Sequence, residues 1–161
     1  MIGPAPKLLD AFGMLLRFGL AVVWFVAGVP KLGDINQNYL AVRAYELFPD
    51  SASRIIGGVQ PFVEIALGVL LLLGIGVRLV SVISAVILLV YIAGIVQALA
   101  RGLSIDCGCF SSGGRVAAGD TRYLLDIARD TGFLAMTIWL AVRPRSLLAL
   151  DNVFFGRPQT R

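Results

Sequence analysis

The sequence predicts an all-α integral membrane protein, a four-helix bundle with short antiparallel connections and both termini cytoplasmic. Of its 161 residues, 58% are hydrophobic and only 15% charged. The mean hydropathy is +0.85, and the apolar residues gather into four stretches, each long enough to cross a bilayer. This composition lies far outside that of soluble globular domains. At roughly 20 apolar residues per helical crossing, residues 1–161 are expected to form a single membrane domain with no separate soluble one. The net charge of +4 needs no nucleic acid to explain it, and neither a Gly-rich phosphate loop nor an internal repeat is present.

The first expected span covers about 11–30 and carries Arg17 near its start. Its FGLAVVWFVAGV core has the length of a signal-peptide h-region, but Pro30 and Lys31 occupy the place of a small-residue cleavage site, so a retained helix is expected. The second span covers about 55–77. The third, 79–100, contains no charged residue and is bracketed by Arg78 and Arg101. So short a connection between the two requires an antiparallel hairpin. The fourth, about 122–142, carries Asp126, Arg129 and Asp130 in its first turns.

Charge asymmetry sets the expected orientation. The N-terminus, the turn at Arg78 and the C-terminal tail carry Lys7, Arg17, Arg78, Arg143, Arg145, Arg157 and Arg161 against Asp10 and Asp151, an excess of five positive charges. The loops at 31–54 and 101–121, taken with Arg122, have an excess of one. Basic residues favour the cytoplasmic side, so both termini are expected inside a bacterial cytoplasmic membrane, with both loops outside. The tail LDNVFFGRPQTR is expected to rest Phe154 and Phe155 in the interface or to be solvated.

Both cysteines lie in the second external loop, as Cys107-Gly108-Cys109-Phe110. Disulfides persist outside the cytoplasm. A metal site is disfavoured, because zinc usually takes about four protein ligands and the chain has no histidine; only Asp106 and a second copy of the chain could complete the set. A structural staple is weak, since a disulfide stabilises chiefly by closing a long loop. A bridge between residues two apart is still feasible, because Gly108 adopts dihedrals that bulkier residues resist. A ring that small should reduce more easily than a relaxed bridge. These points favour a redox couple over unreactive thiols. Asp106 disfavours a Cys107 thiolate, whereas Arg101 and Arg115 favour it.

Thiol chemistry here has a boundary condition. A thiol relay across the bilayer needs sulfur within it or beyond it, and no third cysteine exists. Sustained oxidation would therefore need an acceptor in the bundle, such as a quinone.

The loop NYLAVRAYELFPD places Tyr39, Leu40, Tyr45, Leu47 and Phe48 among polar residues. That pattern predicts a short interfacial helix stopped at Pro49 and covering the bundle mouth beside the cysteines. Its aromatics serve packing or a docking lip. Within the membrane, Glu64 lies about ten residues, roughly 15 Å, from the outer end of its span, and Arg129 about eight, roughly 12 Å. They are expected to pair, with Asp126 and Asp130 sharing Arg129.

RGLSIDCGCF after the third span, PFVE with Pro61 and Glu64 in the second, and GVPKL with Lys31 ending the first resemble the MauE branch of the DoxX-like membrane proteins. The resemblance covers about 12–142. It implies a four-helix bundle acting in the disulfide chemistry of exported proteins, often beside a thioredoxin-like partner, and in some members the maturation of disulfide-rich methylamine dehydrogenase. The expected function is thus a thiol–disulfide redox protein, possible enzyme activity being that of an oxidoreductase. Its partners would be the lipid bilayer and an external thioredoxin-like or exported cysteine-containing protein. The alternative is a non-catalytic assembly or accessory subunit among other membrane subunits.

Overall fold

A computed structural model describes residues 5–107, 113–117 and 121–144, with side chains from residue 8 onward. The expectations for Gly108, Cys109, Phe110 and the C-terminal tail lie outside the described residues. In chain order the elements are α1 (Ala5–Gly33), α2 (Ile35–Ala44), α3 (Asp50–Leu73), α4 (Val77–Ala100), β1 (Ile105–Asp106), β2 (Gly114–Arg115) and α5 (Tyr123–Val142). The chain is an all-α membrane protein: α1, α3 and α4 are each long and apolar enough to cross a bilayer. Helix α5 is 20 residues long, but Asp126, Arg129 and Asp130 occupy its first half.

Helix ends follow local chemistry. Helix α1 runs through Pro30 to Gly33, so Lys31 belongs to the helix. Asp34 caps α2, its Oδ1 accepting the Gln37 amide at 2.9 Å. Helix α3 stops at Leu73 because Gly74 turns left-handed at φ 70°, and the Ile75 amide returns to the Leu70 carbonyl at 3.0 Å. Gly76 repeats the left-handed geometry at φ 59°, so the hairpin turn falls at 74–76 rather than beside Arg78.

The long helices pack mainly as two pairs, α1 on α3 and α4 on α5, with little contact between α3 and α4. Leu20, Trp24, Leu67, Leu71, Leu88 and Leu140 form the main core. The Trp24 indole donates to Ser84 Oγ at 3.1 Å, joining α1 to α4. On the outer side of α1, Val22, Val26 and Val29 are exposed at helical spacing, which suits a face meeting acyl chains rather than water.

Proline and glycine dock α2 onto α3. Pro61 has no amide hydrogen to give the carbonyl four residues earlier. That carbonyl, of Gly57, instead accepts Asn38 Nδ2 at 2.6 Å. Gly57 also admits the α2 backbone, since a Cβ there would stand 2.6 Å from Tyr39 Cα, whereas at Gly58 it would meet nothing within 4 Å. Gly57→Ala is therefore expected to destabilise the folded protein by about 1–3 kcal/mol and Gly58→Ala to leave it unchanged or slightly firmer. Thermal unfolding in one detergent checks the contrast.

Candidate functional site

A buried polar cluster links α1, α3 and α4. Gly28 of α1 makes it possible: a Cβ there would lie 2.9 Å from Ile65 Cγ1 and 3.1 Å from the Pro61 carbonyl oxygen, so glycine lets the backbones approach. One turn on, Lys31 Nζ donates to both Glu64 oxygens, at 2.7 and 2.9 Å. Both side chains are almost wholly buried, at 3% and 1% exposure. The Tyr91 hydroxyl of α4 donates to Glu64 Oε1 at 2.7 Å. Gln60 Nε2 donates to the same oxygen at 3.1 Å and to the Tyr91 oxygen at 2.8 Å.

This arrangement corrects the expected Glu64–Arg129 pair. The partner of Glu64 is Lys31, carried inside by the extension of α1 past Pro30. Arg129 binds its own helix neighbours, Asp126 at 2.9 Å and Asp130 at 3.1 Å, so the expected sharing by these two aspartates stands. An isolated ion within a bilayer is costly, and each group is met by the nearest opposite charge.

The second part of the site surrounds Cys107. Gly102, left-handed at φ 66°, turns the chain out of α4. Strands β1 and β2 then pair antiparallel, Ile105 opposite Arg115 and Asp106 opposite Gly114. The Tyr123 hydroxyl accepts the Ile105 amide at 3.0 Å and donates to the Leu103 carbonyl. Cys107 follows β1 and is 7% exposed, within a cluster containing Ala44, Ile95 and Ala98. Its carbonyl accepts the Tyr45 hydroxyl at 2.9 Å. Burial, and after it the nearby Asp126, pushes the Tyr45 phenol well above its ordinary pKa, which keeps this donor protonated.

Helix α2 spans the two parts. Beyond its end Glu46, at φ 54°, takes Arg101 at 3.0 Å and Arg115 at 2.7 Å. The two arginines expected to favour a thiolate are thus engaged with a carboxylate that sequence reasoning did not include. Gln37 Nε2 donates to the Gly113 carbonyl at 3.0 Å, tying α2 to the same hairpin. Tyr39 is buried against α3, while Leu40, Leu47 and Phe48 remain exposed.

Between α2, α3 and α4 lies a cavity of about 440 Å³. Gln60, Glu64 and Tyr91 line it together with Tyr45 and Cys107, and most of the remaining wall is aliphatic. The cavity therefore brings together Cys107 and Glu64, but not Arg129. Sequence reasoning missed Asn38, Gln60 and Tyr91. The available signal was Gln60 one turn before Glu64 beside a helix-internal proline.

Replacing Glu64 by Gln keeps its shape but strands the Lys31 ammonium. Glu64→Gln is expected to cost about 3–5 kcal/mol or prevent stable accumulation, and Lys31→Met in the same chain to restore part of the loss. A double-mutant cycle on thermal unfolding measures the coupling.

The family model described as "Methylamine utilisation protein MauE" matches residues 9–143, a range containing every residue of this cluster. Methylamine utilization protein MauE of Paracoccus denitrificans is 37% identical over 99 residues, covering 61% of this chain and 53% of that protein. The Paracoccus versutus protein of the same name is 33% identical over 99 residues, with the same coverage. The chain thus spans about half the length of the curated relatives it matches. No solved structure matches it. With the match extending over most of its length, the chain belongs to the MauE family.

Proposed function

We propose that the chain is a membrane-embedded thiol–disulfide redox protein that supports disulfide formation or exchange in exported proteins through Cys107 and Cys109. The observation that carries this reading is the framing of Cys107. Tyr45 holds its carbonyl, Tyr123 holds the strand before it, and Glu46 braces the loop through Arg101 and Arg115. A segment that only joined α4 to α5 would need no such framing. Cys107 carries no free thiol and Cys109 is the chain's only other cysteine, which supports a bridge between them.

In this reading four helices cross a bacterial cytoplasmic membrane, with both termini and Arg78 inside and the cysteine loop outside, as the basic excess favours. Leu40, Leu47 and Phe48, exposed beside the loop, form a docking lip for a thioredoxin-like or exported cysteine-containing protein. A partner thiolate attacks one sulfur of the bridge and the other sulfur leaves as thiolate; a second thiolate of the partner then attacks the partner's sulfur in the mixed disulfide, closing the partner's own disulfide and releasing the chain's second sulfur as thiolate. Run forward, the partner is oxidised and the pair reduced; run backward, the pair reduces the partner. The relatives' name supports a place for this chemistry in methylamine utilization.

Single variants Cys107→Ser and Cys109→Ser test the reading in cells. At least one is expected to accumulate a dithiothreitol-sensitive adduct with an exported protein, and both to lose the cellular role. Absence of adducts, with the role intact in the double serine variant, would instead establish a non-catalytic accessory subunit. A membrane-impermeant thiol reagent is expected to label the reduced pair in spheroplasts; labelling only after permeabilisation reverses the orientation.

A further inference from the structure

We infer that the cavity bounded by α2, α3 and α4 seats one acyl chain of an anionic phospholipid, whose phosphate is held at the rim by Arg101 and Arg115. The inference is independent of the redox reading above. The cavity exists because α3 and α4, though joined by a tight turn, pack on other helices and leave a gap between them. Its volume of about 440 Å³ falls in the range of roughly 300–1,000 Å³ usual for small-molecule sites.

The wall selects hydrocarbon. Val59, Val86 and Val90 line the cavity and are 52%, 55% and 61% exposed, on two helices long and apolar enough to cross a bilayer. The opening therefore faces acyl chains. At the inner end the Tyr91 hydroxyl already donates to Glu64, and Gln60 Nε2 donates one hydrogen to Glu64 and the other to Tyr91. An acyl chain beside these groups leaves each with its partner, whereas a polar occupant would find no donor there and would be buried at a cost.

The rim selects the headgroup. Glu46 stands in sequence between Tyr45 and Leu47, which both line the cavity. Arg101 follows Gly94, another lining residue, by two turns along the same face of α4. Two arginines share the one Glu46 carboxylate, Arg101 at 3.0 Å and Arg115 at 2.7 Å, with side chains 43% and 76% exposed. Asp106 forms no ion pair with either among the described residues. The donors are not used up. Arg115 gives only Nη2 to Glu46, keeping its Nε and Nη1 hydrogens; Arg101 engages Nη2 and Nη1, keeping Nε. A phosphate accepts such hydrogens in pairs and supplies the negative charge that the three groups lack. A zwitterionic phospholipid brings its own cation to this excess and gains less. The depth also fits: fifteen residues separate Arg101 from Val86, about 22 Å at the helical rise, close to the roughly 20–22 Å of one leaflet with its headgroups.

The test titrates the full chain in detergent with dioleoyl phosphatidylglycerol or dioleoyl phosphatidylcholine and counts bound lipid by native mass spectrometry. One phosphatidylglycerol per chain is expected at saturation, held about tenfold more tightly than the choline lipid; this comparison needs no variant. Val59→Trp or Val90→Trp, filling the cavity from either wall, should weaken phosphatidylglycerol by a similar factor. Val26→Trp, on the exposed face of α1, should bind as the wild type. Arg115→Gln should remove part of the preference, and Arg101→Gln in the same chain the rest. Equal affinity for the two phospholipids, or for dioleoylglycerol, which has the chains without the phosphate, overturns the proposal at the rim. Displacement by glycerol phosphate, which has the phosphate without the chains, or binding unchanged by both cavity tryptophans, overturns it at the cavity.

Discussion

An ammonium and a carboxylate buried among membrane helices are tolerable only as partners, and Lys31 with Glu64 supplies that constraint. Breaking such a pair strands a charge where hydration is absent, so the register of α1 against α3 is fixed by electrostatics as well as by packing. Gly28 permits the close approach and Pro61 lies in its path. The pair also sets what surrounds it. With both carboxylate oxygens engaged by Lys31, Glu64 Oε1 still accepts from Tyr91 and Gln60, extending the lock from α1 and α3 to α4.

From this lock the order passes outward through α2. Pro61 frees the Gly57 carbonyl, and Asn38 takes it. Asn38 Nδ2 also stands 3.4 Å from Gln60 Oε1, so the helix over the cavity touches the buried cluster directly. At its other end α2 reaches the cysteine loop through Tyr45 and Glu46. Buried charge, roof helix and sulfur thus form one connected structure, each part oriented by the one below it.

Much of this was legible because membrane helices announce themselves by length and hydropathy. The uncharged run at 79–100 needed no tertiary information. The pairing of Glu64 was not legible, for a specific reason: Pro30 suggests the end of a span, which places Lys31 in a loop and leaves Arg129 as the nearest deep cation. A proline inside a membrane helix need not end it, since neighbouring helices satisfy the freed carbonyl, and α1 continues to Gly33. Tyr91 was hidden differently. A neutral polar side chain on an apolar helix carries no charge to balance, so only the fold brings it to Glu64, whereas Gln60 already lies one turn before Glu64 on the same helix. The engagement of Arg101 and Arg115 by Glu46 likewise spans distant residues and depends on α2 lying across the loop.

The central claim is that Cys107 and Cys109 form a reversible couple rather than an inert feature of a loop. Equilibration of the purified full chain across a graded glutathione series, followed by thiol trapping and mass analysis, tests it most directly. The account predicts a single reversible two-electron transition between bridge and dithiol within the span of the series. A pair that remains bridged or remains dithiol throughout, without any glutathione adduct, would contradict it.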